Sequence, residues 1–246
     1  MTAEAPTILA TSGGMVPGRR TPFEVGPLTD YAVELTGVSG RAPRVCFVPT
    51  AVGDNPSVVQ NFYDAARYAG YEASHLALFP MPNLPDMRSH LLARDVVWVW
   101  GGSVAGLLAM WRLHGLDALL LEAWQAGVVL TGVSAGSICW HVGGATDSFG
   151  PKLRPVTNGL GFVRYANGVH YDSEQQRRPV FQRLIAERTL PTGYATDDGV
   201  GLLYRGTEFV EALSEVPGAG AYRVERGPDG QAVETRIEPR LVSRRS

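Results

Sequence analysis

The sequence predicts an α/β fold built on a mostly parallel β-sheet with helices on both faces. Short, nearly all-apolar runs alternate with stretches of helical spacing, which is typical of strand–helix–strand units. The C-terminal part of the chain alternates apolar and polar residues around glycine-containing turns, which predicts antiparallel hairpins closing one edge of the sheet. The chain has 246 residues, 45% of them hydrophobic, so it can bury a sizeable core.

Five strands follow from the apolar, β-rich runs. In chain order they are 7–11, 44–50, 74–79, 95–100 and 127–133. A helix is predicted over 57–69, where apolar residues recur at helical spacing, and residues 135–142 are compatible with another. No repeat, low-complexity tract or linker divides the chain, and one domain spanning 1–246 is therefore expected.

The charge balance narrows the class of partner. The formal net charge is -2 at pH 7, and Lys152 is the only lysine. The chain therefore lacks the excess of positive charge that a non-specific nucleic-acid-binding protein carries, and no nucleic-acid partner is expected.

The distribution of apolar residues and cysteines indicates a soluble, reduced, cytoplasmic protein. Residues 123–146 carry no charged side chain, but five glycines interrupt them, which favours a buried strand and helix over a membrane span. Glu4 lies where a signal peptide needs positive charge. Cys46 and Cys139 fit neither a disulfide framework nor a zinc site and are expected in the core, and no metal or cofactor is implied.

Ligand sites in parallel sheets lie at the carboxyl ends of the strands. Three glycine-bearing turns fall there, at 12–14, 101–103 and 132–136. The functional site is therefore expected where these turns meet.

Residues 132–136 match the G-x-S-x-G pattern, directly after an apolar strand and before a helix-compatible stretch. A sharp strand-to-helix turn pushes the hydroxyl of Ser134 out of the sheet, and small neighbours tolerate the strained backbone. The helix N-terminus also presents free N–H groups to a developing oxyanion. Ser134 is the candidate nucleophile, the alternative being a tight structural turn.

A serine nucleophile needs a base, and His170 is the candidate among five histidines. It follows an apolar run and lies among loop-forming residues, where a loop at the sheet end can direct it towards Ser134. The acid that orients the imidazole remains open between Asp147, Asp172, Asp197 and Asp198. Asp147 gives the order serine, acid, histidine, as in the α/β-hydrolases, but it follows Ser134 closely in sequence. Asp198 gives the order serine, histidine, acid.

Four segments in this order resemble the S51 family of serine peptidases, which includes peptidase E (aspartyl dipeptidase) and the related cyanophycinases. The segments are 99–103, 132–136, 159–162 leading to 169–171, and 197–199. The resemblance covers roughly residues 5–240. It implies the fold of class I glutamine amidotransferases, a three-layer sandwich with a mostly parallel sheet.

The resemblance also implies roles for individual residues. Ser134 would be the nucleophile, His170 the base and Asp198 the acid, and the backbone N–H groups of Gly102 and Ala135 would form the oxyanion hole.

Two positions depart from the family pattern. The acid of peptidase E is a glutamate, so the shorter carboxylate here leaves the choice between Asp197 and Asp198 open. Ser103 stands where the family usually has asparagine, which bears on substrate contacts but not on the Gly102 N–H.

Peptidase E removes an N-terminal aspartate from dipeptides, which calls for a cation near the substrate carboxylate. Arg177 lies near where the family places an arginine after the base, and Arg178 is the alternative. If neither arginine reaches the site, other N-terminal residues would be accepted.

We therefore expect a serine exopeptidase that hydrolyses short peptides, in the first place Asp-Xaa dipeptides. Its partner is a small peptide, with no nucleic acid and no membrane, and a homodimer is left open. Two rival functions remain: cyanophycinase-like cleavage of β-aspartyl-arginine peptides, and a catalytically silent ligand-binding relative.

Overall fold

The structure is a computed structural model that describes residue 3 and residues 5–244. Its strands are β1 (Thr7–Thr11), β2 (Met15–Pro17), β3 (Phe23–Val25), β4 (Arg44–Val48), β5 (Glu72–His75), β6 (Val96–Val99), β7 (Val129–Val133), β8 (Gly143–Thr146), β9 (Arg154–Val156), β10 (Ala166–Gly168), β11 (Gly193–Thr196), β12 (Val200–Arg205), β13 (Glu208–Ser214), β14 (Ala221–Arg226), β15 (Ala232–Ile237) and β16 (Arg240–Leu241).

The helices alternate with these strands along most of the chain. They are α1 (Pro27–Glu34), α2 (Pro56–Tyr68), α3 (Met87–Leu92), α4 (Val104–Leu113), α5 (Leu116–Gln125), α6 (Ala135–Ile138) and α7 (Arg177–Ala186), with a 3-10 turn at Thr50–Val52.

A large sheet of eight strands forms the centre of the fold, in the order β16-β13-β12-β1-β7-β6-β4-β5. The strands from β1 to β5 in this order run parallel, and β12 and β13 extend the sheet beyond β1 as an antiparallel hairpin. In register, Thr11 lies opposite Val133, and Gly132 lies opposite Val99. The carboxyl ends of β1, β7 and β6 therefore lie side by side.

Both faces of the large sheet are covered, which gives the predicted three-layer α/β arrangement. Alternate residues of β1 enter different cores: Leu9 packs with α1 and α2, whereas Ile8 and Ala10 pack on the side of α4, α5 and α6. Side chains of successive strand residues point to opposite faces, so a strand covered on both sides must be apolar throughout. Cys46 and Cys139 are both fully buried free cysteines.

A second sheet, of six strands, was not predicted. Its order is β15-β14-β11-β10-β8-β9, and α7 packs against it in a separate core. The C-terminal hairpins were expected on one sheet edge, but only β12–β13 extends the large sheet, and β14–β15 pairs with β11 instead. The strands β8 and β10 have three or four residues each and include glycines, so they give almost no strand signal.

Four of the five predicted strands are confirmed with ends within two residues, but the third is wrong. Residues 74–79 were expected to be a strand, whereas β5 ends at His75. Beyond it, the N–H groups of Leu78 and Phe79 donate to the Asp54 carboxylate, at 2.5 and 2.9 Å, instead of to a neighbouring strand. Leu76 and Leu78 are buried all the same. Of these two, only Leu76 still bonds to β4, through its N–H to the carbonyl oxygen of Phe47 at 2.9 Å. The apolar run therefore continues beyond the end of the strand because its side chains are buried.

The helix predicted over 57–69 is confirmed as α2, whose first turn is capped by the Asn55 side chain. The helix-compatible stretch over 135–142 is shorter than expected, because only Ala135–Ile138 is α-helical. The carbonyl groups of residues 139–141 accept N–H groups from residues 160–163 instead.

Across the described residues, no single helix is both long and apolar enough to cross a membrane. The consecutive helices α4 and α5 meet the length and composition criteria only as a pair, and they are bent by 92° at their junction.

Candidate active site

Ser134 occupies a strained turn between β7 and α6. Its backbone has φ 57° and ψ -111°, a combination that costs a non-glycine residue about 1–3 kcal/mol. The N–H of Ser134 donates to the carbonyl oxygen of Thr11 at 3.0 Å, which holds the turn at the end of β1. A Cβ at Gly136 would overlap the carbonyl oxygen of Val99, so the small residue at this position allows α6 to lie against β6. This is the strand-to-helix turn that the G-x-S-x-G pattern predicts.

The turn after β6 lies against Ser134. A Cβ placed on Gly101 would be 3.2 Å from the Ser134 Cβ. Gly102 has φ +130°, and a side chain there would lie 2.5 Å from the carbonyl oxygen of Ala51. Within the described part of the chain, the N–H groups of Gly102 and Ala135 donate to no acceptor. Two unused backbone donors therefore flank the serine, as an oxyanion hole requires.

His170 lies just after β10 and is hydrogen-bonded to Asp198. Its Nδ1 lies 2.5 Å from Asp198 Oδ1, and the imidazole is 21% exposed while Asp198 is 48% exposed. The carboxylate fixes Nδ1 as the protonated nitrogen, so Nε2 carries the free lone pair. This is the state in which an imidazole can act as a general base.

Asp197 is hydrogen-bonded to other residues instead of His170. Its Oδ2 accepts hydrogen bonds from the Gly220 N–H at 2.8 Å and the Tyr222 hydroxyl at 3.1 Å. Burial raises the pKa of Asp197 above its usual value. Of the two adjacent aspartates, only Asp198 contacts the imidazole.

The other two candidate acids lie elsewhere. Asp172 accepts the backbone N–H of Asp198 at 2.9 Å and so supports the loop that carries Asp198. Asp147 is 60% exposed, and its carboxylate lies 4.0 Å from a guanidinium nitrogen of Arg177.

The end of β1 brings the serine and histidine loops to one place. Thr11 accepts the Ser134 N–H through its carbonyl oxygen, and the hydroxyl of Ser12 accepts the His170 N–H at 3.3 Å. Among the described residues, neither the Ser134 hydroxyl nor His170 Nε2 has a hydrogen-bond partner. Both groups are therefore available to a substrate or to each other.

Ser103 has a structural contact of its own. Its hydroxyl accepts the N–H of Gly106 at 3.0 Å and caps α4, and its N–H donates to Ala51. The capping bond keeps the Gly101–Ser103 turn fixed at the start of this helix.

The two candidate arginines are already paired. Arg177 is 4% exposed, and it donates to Glu174 at 2.6 Å and to the carbonyl oxygen of Ala145 at 2.8 Å. Arg178 pairs with Glu234 and lies over the rings of Tyr171 and Tyr222.

Sequence reasoning missed the contribution of Ser12. The turn at 12–14 was noted as one of three glycine-bearing turns, and a hydroxyl at its first position was the signal that could have been used. In the described part of the chain, no group of three or more His, Cys, Asp or Glu side chains is arranged to hold a metal ion.

Comparison with known proteins places this chain in a family. The sequence profile of peptidase family S51 matches residues 8–212. An uncharacterized peptidase, YgaJ, of Bacillus subtilis (strain 168) is 43% identical over 182 residues, which cover 74% of this chain and 78% of that protein. Peptidase E of Shewanella denitrificans is 26% identical over 151 residues, covering 61% of this chain and 63% of that protein.

Two solved structures share the fold. A putative peptidase E from Listeria monocytogenes EGD-e matches with a TM-score of 0.59 at 21% identity, covering 83% of this chain and 96% of that one. A peptidase from an acI-B1 Actinobacterium matches with a TM-score of 0.68 at 16% identity, covering 96% and 95% of the two chains. The profile match extends from β1 into β13 and includes Ser134, His170 and Asp198, and the chain belongs to peptidase family S51.

Proposed function

We propose that this protein is a serine peptidase acting on short peptides, with Ser134 as nucleophile, His170 as general base and Asp198 as the acid that orients it. The observation that carries the proposal is the 2.5 Å contact between His170 and Asp198, on a loop tied to the same strand end as the Ser134 turn. A hydroxyl becomes an effective nucleophile when an oriented imidazole accepts its proton.

The reaction follows from these positions. Ser134 Oγ attacks the scissile carbonyl carbon while His170 Nε2 takes the hydroxyl proton. The resulting oxyanion accepts hydrogen bonds from the backbone N–H groups of Gly102 and Ala135. The C–N bond breaks as the imidazolium returns the proton to the leaving amine. Water then attacks the acyl-enzyme with His170 again as base, which releases the acid and regenerates the hydroxyl. In comparable sites, one oxyanion donor contributes about 3–4 kcal/mol to catalysis.

The choice of N-terminal residue depends on whether a cation is available. An enzyme specific for Asp-Xaa needs a positive group that can pair with the substrate side chain. Arg177 and Arg178 are each engaged with a carboxylate of this chain, and Arg177 is buried. We infer a peptidase that accepts several N-terminal residues, Asp-Xaa among them, rather than one that requires aspartate.

The serine assignment is tested with two single variants. Ser134→Ala is expected to abolish dipeptide hydrolysis and labelling by a fluorophosphonate. The matched control is Ser57→Ala, which changes an exposed serine of α2 and is expected to keep both. Hydrolysis retained in Ser134→Ala would overturn the proposal, and a wild-type protein that is neither labelled nor active would indicate the catalytically silent relative instead.

The specificity assignment is tested on a panel of Xaa-Leu dipeptides. We expect the ratio of kcat/KM for Asp-Leu over Ala-Leu to be unchanged in Arg177→Ala and Arg178→Ala, because neither guanidinium is free to bind the substrate. The ratio is insensitive to a general loss of folded enzyme. A selective loss of Asp-Leu hydrolysis in either variant would show that the arginine changed in it binds the substrate aspartate.

A second candidate function is cleavage of β-aspartyl-arginine peptides. It is favoured by the exposed carboxylates of Asp147, Asp172 and Glu174 on segments near the His170 loop, since a guanidinium-bearing substrate is attracted by acidic groups. Release of β-Asp-Arg from the polymer by the purified protein would select this function, and intact polymer alongside dipeptide hydrolysis would exclude it.

A further inference from the structure

The proposed catalytic groups are divided between the two sheets. Ser134 follows β7 of the large sheet, whereas His170 follows β10 and Asp198 follows β11 of the second sheet. The position of the imidazole relative to the serine hydroxyl therefore depends on how the two sheets are joined beside the site.

A pair of buried hydroxyls joins the sheets at this point. Ser12 Oγ, at the end of β1, lies 2.7 Å from Thr196 Oγ1, at the end of β11. Ser12 is 4% exposed and Thr196 is fully buried. Because a buried hydroxyl without a partner is costly, each of these groups holds the other in place.

The other hydrogen bonds of Ser12 and Thr196 connect them to the backbone at and before His170. Ser12 Oγ accepts the backbone N–H of His170 at 3.3 Å, and Thr196 Oγ1 lies 3.5 Å from the carbonyl oxygen of Gly168. A single direction of donation satisfies the whole chain: the His170 N–H donates to Ser12, Ser12 to Thr196, and Thr196 to Gly168. Each hydroxyl then donates once and accepts once.

The same strand end also fixes the nucleophile and the acid. The carbonyl oxygen of Thr11 accepts the Ser134 N–H at 3.0 Å, and that of Ser12 accepts the Gly199 N–H at 2.9 Å, next to Asp198. His170 is held with φ 52°, a left-handed conformation that a non-glycine residue keeps only when its surroundings impose it.

We propose that Ser12 and Thr196 form a clasp between the two sheets that positions His170 for proton transfer from Ser134. Both are positioning residues that act through the backbone of the base. The proposal rests on the proposed peptidase function, because the clasp matters only if His170 is the base.

The test compares Ser12→Ala, Thr196→Val and Thr196→Ser with the control Thr36→Val. Thr36 is a matched control because its hydroxyl is also buried and hydrogen-bonded, to Val33 and Val38, in α1 and the loop after it. Ser12→Ala and Thr196→Val are expected to lower kcat about tenfold to a hundredfold with KM little changed, since misplacement of a catalytic group costs rate more than binding. Thr196→Ser keeps the hydroxyl and is expected to restore kcat.

The double variant Ser12→Ala/Thr196→Val adds a check on coupling. Residues of one hydrogen-bonded pair are non-additive, so it is expected to lose little more activity than either single variant. Full multiplication of the two losses would mean that the residues act separately and would overturn the clasp.

A second readout does not depend on turnover. Solvent exchange of the His170 Nδ1 proton, followed by NMR, is expected to be faster in Ser12→Ala and Thr196→Val than in Thr36→Val, because the imidazole is held less firmly against Asp198. Equal exchange rates in these variants would overturn the clasp whatever their activity. If the wild type proves inactive and unlabelled, the peptidase function fails, and the exchange rates still decide the clasp.

Discussion

Changing Asp198 to asparagine removes the negative charge that faces the imidazole of His170. The two side chains are 2.5 Å apart, Nδ1 to Oδ1. When His170 takes the serine proton, the resulting imidazolium is stabilised by the carboxylate, and the amide of asparagine cannot supply that charge. The amide can also present its own N–H to Nδ1, which would favour the wrong tautomer.

The size of the effect follows from the charge separation and the exposure. Two unit charges about 4 Å apart interact by about 4 kcal/mol near a protein surface and by about 1 kcal/mol in bulk water. Because Asp198 is 48% exposed, an intermediate value of about 2–3 kcal/mol applies. At about 1.4 kcal/mol for each factor of ten, kcat is expected to fall about a hundredfold.

The assay is dipeptide hydrolysis at saturating substrate, with Asp197→Asn as the matched control. Asp197 accepts its hydrogen bonds from Gly220 and Tyr222 rather than from His170, and the amide oxygen of asparagine can accept the same two bonds. We expect Asp197→Asn to keep its kcat. If Asp198→Asn keeps full activity, or if Asp197→Asn loses as much, the assignment of the acid is wrong.

Two further predictions concern the oxyanion donors and the core. Gly102→Ala is expected to lower kcat about 10²–10³-fold, because a Cβ beside the Ala51 carbonyl oxygen must displace the donor N–H, and steady-state kinetics beside a thermal melt separate this loss from unfolding. An unchanged kcat would remove Gly102 from the oxyanion hole. Burial lowers the pKa of His141 from 6.5 to about 4. As the pH falls through this range, His141 therefore becomes protonated in the unfolded chain before it does so in the folded chain, which lowers the free energy of unfolding. The wild type should therefore lose about 3 kcal/mol of stability relative to His141→Gln between pH 7 and pH 4 in urea unfolding, and parallel stability profiles would contradict this.

Local sequence patterns predicted the elements that depend on local chemistry. The five-residue pattern around Ser134 predicted a strand, a sharp turn and a helix, because small residues and a buried strand are needed wherever such a turn forms. The helix α2 was equally predictable, since its apolar spacing lies within its own segment. The choice of His170 as the candidate base came from its loop context, and the structure places it beside the end of β1.

Contacts between distant segments were not predictable in this way. Arg177 and Arg178 are neighbours in sequence, yet one is buried with a hydrogen bond to the carbonyl oxygen of Ala145 and the other is paired with Glu234, which lies more than fifty residues away. The second sheet was missed because pairing with other short strands, rather than propensity, makes β8 and β10 extended.

The sequence by itself determined the α/β class, the turn that presents Ser134 and the family resemblance, because apolar periodicity and glycine-rich turns are local properties of the chain. Only the tertiary structure decided which of two adjacent aspartates contacts His170, and only it revealed Ser12 and Thr196 between the sheets. The physical reason is that a hydrogen bond requires two atoms within about 3 Å, and residues 184 positions apart reach that distance only after the two sheets have packed.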